Sequence, residues 1–295
     1  MKKMGVFAAV FAAALLWAWA ASAEMYVEGY IGPTWSSDIG QAFTVNDVLI
    51  QPNNLQVLNH HLQYGGKTDV TVLGGLKLGT WFVKEGFLGY SGYPDWTKYL
   101  GFYTDFSFQR LYVRNQRLSG TQTNINQSAG NHYTPGSTDQ NTEIGNIQAD
   151  GDVITWAFMF AGRYGFFPDS EVPFGRLQPY VAVGPAVMWS TLKPKLNTDQ
   201  VWTTNPSGLP GTQLSGNNAT ATTVALAVEG GVRYMALKNV SFDLSFKYRY
   251  AQPSYHFNGI DFSAVVPGYV SQPASYKLNP VYQLFSFQAG VAYHF

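Results

Sequence analysis

The chain has no cysteine among its 295 residues. This excludes disulfides, thiolate nucleophiles, thiolate zinc sites and a lipidated N-terminal cysteine. Charge is also scarce: 12% of residues are Asp, Glu, Lys or Arg, roughly half the share usual in soluble domains. The 18 basic and 18 acidic residues cancel, which removes any whole-chain electrostatic case for a nucleic-acid partner. Beyond the first 23 residues no apolar run approaches the roughly 18 residues of a spanning helix. Rings, by contrast, are abundant: 8 Trp, 19 Tyr and 20 Phe outnumber the charges. That argues against disorder. It also argues against a water-soluble domain, which needs charged surface to stay dispersed. The apolar surface must meet something other than water.

The N-terminus indicates where. Lys2 and Lys3 precede a short apolar run from Val6 to Trp19, and Ala21-Ser22-Ala23 has the pattern of a cleavage site. A cleaved secretory signal over 1–23 is predicted, with a single domain over 24–295. The run is too short for an anchor, and no stop-transfer charges follow it.

The mature chain alternates with period two. Val240, Phe242, Leu244, Phe246, Tyr248 and Tyr250 share one face, and Ser241, Asp243, Ser245, Lys247 and Arg249 the other. A helix would scatter these residues around its axis, and eleven residues is the length of a tilted strand crossing a bilayer. The same pattern predicts eight strands, at 25–35, 68–82, 98–113, 153–166, 177–190, 222–236, 239–251 and 282–295. Long polar stretches (36–67, 114–152, 191–221, 252–281) alternate with shorter links. A soluble sandwich would alternate too, but it would not explain this one-sided loop asymmetry. The expected fold is all-β, an eight-stranded antiparallel up-and-down transmembrane barrel. Alternation within Phe43 to Leu49 leaves a ten-stranded barrel open. The apolar link 83–97 is expected to form a short interfacial helix or to extend its flanking strands.

The chain stops inside its last strand, with Gln288, Gly290, Tyr293 and Phe295 spaced as a polar residue, a glycine two on, and aromatics at the antepenultimate and final positions. This ending resembles the C-terminal signal that bacterial outer-membrane proteins present to their insertion machinery. With eight strands, 24–295 resembles the OmpA/OmpX-like small barrels of the outer membrane protein beta-barrel domain family. The resemblance implies a bacterial outer-membrane location, with lipids and lipopolysaccharide as surroundings and the barrel insertion machinery as a partner. It also implies an interior charge network of the kind regarded in that family as a gate. No peptidoglycan-binding domain is expected after the barrel.

By strand parity the inward positions hold Glu28, Lys77, Asp105, Arg163, Glu229, Arg233, Asp243, Lys247 and Arg249, and outward positions at membrane depth hold no charge. An unpaired charge inside a narrow barrel is costly, so these nine are expected to pair as a luminal network. A two-residue turn at Lys238-Asn239 would oppose apolar to polar positions. A three-residue loop, Leu237-Lys238-Asn239, is therefore expected. It would oppose Glu229 to Lys247 and Arg233 to Asp243, with Phe246 covering Gly230. Glu28 is expected near Lys77. Trp81, Tyr103, Tyr180 and Met188 also point inward. Eight strands enclose only enough space for their own side chains, so a filled lumen is expected.

Signs of chemistry are few. Nucleophilic catalysis needs a Ser beside an oriented His, and the outward membrane-depth positions offer neither. Ser254, His256 and Asp261 are neighbours of a kind that Ser-rich loops often produce. His294 faces inward, where packing is its expected role. The adjacent pair His60-His61 would point apart in an extended chain, and Asp150-Gly151-Asp152 has too few ligands for a calcium loop. No nucleotide or zinc-protease motif is present. No enzyme activity, metal or cofactor is expected. Arg110, Arg114, Arg117, Lys193 and Lys195 gather near the outer rim. There they suit lipopolysaccharide phosphates or serve as ordinary solvated bases. Trp35, Trp81, Trp189, Tyr293 and Phe295 fit interfacial aromatic girdles. The overall expectation is a monomer with a structural and interactive role through four extracellular loops, their ligand unknown. A narrow gated, porin-like channel is the first alternative, and a lipid-modifying enzyme the second.

Overall fold

The computed structural model describes residues 24–40, 42–51, 54–82, 94–128, 132–139, 145–198, 213–215, 218–260, 270–272 and 274–295. Eight strands build the wall: β1 (Glu24–Ser36), β2 (Thr71–Trp81), β3 (Leu100–Ser128), β4 (Gly145–Arg163), β5 (Leu177–Thr198), β6 (Ala219–Leu237), β7 (Val240–Ala251) and β8 (Tyr282–His294). Each pairs antiparallel with the next in sequence, and β1 pairs with β8, so the sheet closes on itself. No edge remains in the ring, which is what allows strands to cross hydrocarbon with every backbone group satisfied. The predicted signal segment 1–23 lies outside the described residues.

The eight expected strands are all present, and three extend well beyond their expected ends. β3 runs to Ser128 rather than 113, β4 starts at Gly145 rather than 153, and β5 ends at Thr198 rather than 190. Beyond the apolar belt the outward side chains become polar, as at Gln148, Asp150 and Lys193, while Ile147, Ala149 and Leu192 stay buried inside, so the apolar outer face that marks a strand disappears while the ladder continues. The alternation near Phe43 to Leu49 does belong to a strand, Ala42–Gln51, which forms a hairpin with Asn54–Tyr64. That hairpin pairs with the upper part of β3, from Leu118 to Ser128, above the ring. The wall has eight strands and not ten. Strand His132–Asp139 also lies on upper β3, Gln213–Ser215 on β5 and Val270–Gln272 on the first hairpin. Tyr255–Ile260 pairs with Ala274–Leu278. In the link 83–97, Asp95–Tyr99 form a 3-10 turn, and 83–93 lie outside the described residues.

Between β6 and β7 the structure reaches the expected register by a different turn. Glu229 opposes Lys247, Gly230 opposes Phe246 and Arg233 opposes Asp243. The turn, however, is two residues, Lys238-Asn239, and a bulge between Met235 and Leu237 supplies the extra residue. A bulge changes parity as effectively as a longer loop does. Arg176, from the β4–β5 turn, explains why it sits there. Its Nη1 donates to the carbonyls of Met235 and Ala236, each at 3.2 Å, at the bulge itself. Asp169 and Glu171 hold the guanidinium in turn.

Asp169 also accepts the backbone N–H groups of Val172 (2.8 Å) and Glu171 (2.9 Å). The Val172 N–H first, and then Arg176, hold its carboxyl below the usual aspartate range. A depressed carboxyl contributes stability that is present above its unfolded value and lost as pH falls through the folded one. The expected result is that the urea midpoint of the barrel in micelles declines on acidification below about pH 4. Asp169→Asn should lower the midpoint at neutral pH and flatten that decline. An unchanged acid limb in the variant would show that this turn does not contribute.

Candidate functional site

Alternation and curvature turn the even residues of β1, β5 and β8 and the odd residues of β2, β3, β4, β6 and β7 into the lumen. All nine residues expected inside are buried there, none more than 4% exposed. Seven meet at one level. Lys77 Nζ lies 2.8 Å from Glu28 Oε1 and 2.6 Å from Glu229 Oε1. Lys247 Nζ lies 2.9 Å from Glu229 Oε2 and pairs closely with Asp105. Arg233 donates to Glu28 Oε2 at 2.5 Å, and its Nε is 3.4 Å from Asp243 Oδ2. Glu229 is the hub, because both lysines reach it.

Tyrosines complete the network. Tyr103 donates to Glu229 Oε2 at 3.0 Å, and Tyr30 to Asp105 Oδ1 at 2.5 Å. The Tyr180 hydroxyl lies 2.7 Å from Glu229 Oε1 and 2.9 Å from Asp243 Oδ1. Lys77 Nζ also sits 4.9 Å from the centre of the Tyr30 ring. Hydrogen bonds from phenols satisfy carboxylate oxygens that lie away from water, which a buried ion-pair network needs in addition to its charge contacts. The rings need space, and glycines on the facing strands supply it. A side chain at Gly75 would strike Tyr30, and one at Gly79 would strike Tyr26.

Two of the nine stand apart. Arg163 binds Glu24 through both carboxylate oxygens, at 2.8 and 2.5 Å, between the rings of Trp81 (4.2 Å) and Phe174 (4.1 Å). Glu24 was not among the expected luminal charges, although it shares parity with Glu28; strand 1 begins one residue earlier than its alternation suggests. Arg249 departs from the expectation that all nine pair. Its partners are neutral: Gln109, Ser107 at 3.4 Å and Thr155 at 3.3 Å. The nearest carboxylates are already taken by the lysines. Trp81 corrects another expectation. It is 2% exposed and stacks on Tyr26 inside the barrel, so it belongs to the lumen and not to a girdle. Trp35 and Trp189 do face outward.

Above the charged layer the filling is apolar and phenolic. Tyr255 donates to Ser190 Oγ at 2.6 Å and lies 2.8 Å from the Tyr282 hydroxyl, with Met188, Leu192, Leu278 and Phe257 buried in the same cluster. At the periplasmic end Ser241 Oγ is 2.9 Å from His294 Nε2, and His294 Nδ1 is 4.0 Å from Glu24 Oε1. The order Ser–His–carboxylate is that of a hydrolase, but Ser241 is fully buried and Glu24 is held by Arg163. A substrate carbonyl would have no approach to the hydroxyl.

Around the rim, Arg114 pairs with Asp69, and Lys195 Nζ with Asp150 Oδ2 at 2.7 Å. Arg110, Arg117 and Lys193 are exposed, and Arg110 lies opposite Asp152 in the ladder. His60 and His61 lie in the strand Asn54–Tyr64, paired with Ala42–Gln51. His256 is exposed, and Asp261 lies outside the described residues. In the last strand Gln288 points inward and bonds Ser286 at 3.1 Å. Gly290 leaves room for Glu28 and Tyr30. Tyr293 and Phe295 face outward, edge to face, with ring centres 5.2 Å apart.

The outer surface reverses the interior. Val224 is 75% exposed, Leu244 67% and Phe160 63%, and the outward positions between the rims carry no charge. A closed ring with buried charges and an uncovered apolar belt is stable only where hydrocarbon surrounds it. The fold is that of a small outer-membrane β-barrel. No family model and no curated protein matches the chain. Among solved structures it is similar to Neisserial surface protein A (11% identity, TM-score 0.34, covering 92% of this chain and 97% of that one). It is also similar to the outer membrane protein OprG from Pseudomonas aeruginosa (12%, TM-score 0.34, 92% and 96%). A third is Ail, the attachment invasion locus protein of Yersinia pestis, in complex with the heparin analogue sucrose octasulfate (13%, TM-score 0.33, 92% and 99%). The assignment of the fold rests on the ring of strand pairings and the sorting of charge between its two faces.

Proposed function

We propose that this barrel has a structural and interactive role in the outer membrane, with a sealed lumen and recognition through its extracellular strands and loops. One observation carries the reading: the lumen is closed twice, by the charged layer around Glu229 and by the phenolic and apolar layer around Tyr255. Length supports it as well. β3 has 29 residues, where about 11 suffice to cross the bilayer, so much of the strand stands outside as a wall for contacts. On this reading the protein is a monomer without catalytic function, and its extracellular ligand is yet to be identified. Arg110, Arg114, Arg117, Lys193 and Lys195 would meet lipopolysaccharide phosphates, and the strand ending Gln288 to Phe295 would engage the insertion machinery.

A narrow gated channel is the second reading, favoured by one feature. Lys77 lies among three carboxylates and Lys247 between two, so each has an alternative partner should one contact open. Planar bilayers separate the two. The purified wild-type barrel is expected to give no reproducible conductance steps. Steps in wild type that vanish in Lys247→Ala would overturn the sealed reading in favour of a gate.

A further inference from the structure

The lipid-facing side of the wall is uneven. Midway along β7 and β8 the outward side chains leave a groove of about 560 Å³, lined among others by Ile31, Gly230, Leu244, Phe246, Phe287 and Ala289. Strand register explains it. Ala289 lies between Ile31 on β1 and Leu244 on β7, and Gly230 lies beside Phe246. Two small residues thus fall among four large ones. A methyl group placed on Gly230 would meet nothing closer than a carbonyl 4.0 Å away, so the floor is open, with no neighbour covering it. At one end Trp35 packs on Phe287, with ring centres 5.7 Å apart, and Phe246 on Phe287 at 5.1 Å. These rings brace one another and give the groove a rigid wall.

We propose that this groove binds a single lipid acyl chain. The inference rests on the outer face meeting lipid and goes on to name the place and the chemistry. The groove lies at mid-strand, away from both rims, where hydrocarbon is the surrounding medium. Its outward-facing lining side chains are apolar, so it can hold a chain but no headgroup. A rigid concave surface touches a chain on several sides where a flat wall touches it on one. Dispersion contacts summed over many atoms then favour retention. The interlocked rings pay little conformational entropy on binding.

The test is native mass spectrometry of the folded barrel in detergent, titrated with palmitoyl-oleoyl phosphatidylethanolamine. Wild type is expected to retain one lipid at concentrations where Ala289→Phe, whose ring fills the groove, retains at least fivefold less. Val291→Phe, on the same outward face but outside the groove lining, should behave as wild type. Equal retention by wild type and Ala289→Phe overturns the proposal, as does equal loss in both variants. A wild-type dimer that Ala289→Phe converts to a monomer, without change in lipid, would assign the groove to a second copy of the chain and overturn it too. Insertion of the same proteins into vesicles, scored by resistance to urea extraction, is read separately. Failure there would remove the membrane reading itself, whereas insertion without selective retention removes only the groove.

Discussion

Glu229→Ala is expected to be the most damaging single substitution inside the barrel. It takes one carboxylate from each of Lys77 and Lys247 and an acceptor from Tyr103 and Tyr180. Water cannot easily replace them, because these side chains are almost wholly buried. Removing one partner of a buried pair typically costs about 3–5 kcal/mol, most of it the penalty of the charge left behind. The loss should appear as a lower urea midpoint in micelles and a lower temperature for the folded-to-unfolded gel shift. Glu229→Ala combined with Lys247→Met should recover part of it, because the double change removes the stranded charge as well as its partner. If Glu229→Ala lies within about 1 kcal/mol of wild type, the network is not a structural hub.

Gly32→Ala should nearly match that effect through sterics alone. A methyl group at Gly32 would stand 1.7 Å from the Phe287 carbonyl oxygen and 2.8 Å from its carbon. Both are backbone atoms of the neighbouring strand, so no rotamer relieves the clash. The contact lies between β1 and β8, where the first strand meets the last and the ring closes. Overpacking usually costs about 1–3 kcal/mol and sometimes more, and a displacement at this seam should reach at least about 3 kcal/mol by the same measure. Refolding into vesicles should also slow, since closure needs this pairing. Gly29→Ala is the control: on the same strand its methyl would meet nothing within 4 Å and should change little. Equal behaviour of the two variants would show that the seam yields.

How far the sequence reveals the fold depends on what surrounds each strand. At membrane depth one face meets lipid and the other meets polar side chains, so β6, β7 and β8 declare themselves residue by residue. The pairs Glu229–Lys247 and Arg233–Asp243 follow from parity there. In the extension of β4 the outward positions turn polar, as at Gln148 and Asp150, and the inward ones shrink to residues such as Ala149 and Gly151, which leaves little alternation to read. The bulge by Met235 left no local mark either; its cause lies 59 residues away, in Arg176. Within the lumen, parity places Tyr103 and Tyr180 inside but says nothing about which carboxylate they reach, since that depends on side chains crossing the barrel. Arg249 shows the limit of counting: five basic and four acidic residues invite a shared network, yet geometry gives Lys77 three carboxylates and Lys247 two, and Arg249 none.

Closure protects the ring, but the sheet that rises above it is open and therefore has edges. Among the described residues several of those edges are blunted. Val270–Gln272 and Gln213–Ser215 are three residues each, and His132–Asp139 carries Pro135. Short edge strands and a proline offer a neighbouring chain too few free backbone groups to add a strand. The exposed wall therefore invites recognition by its side chains and discourages copies of the protein from zipping together edge to edge in a crowded membrane.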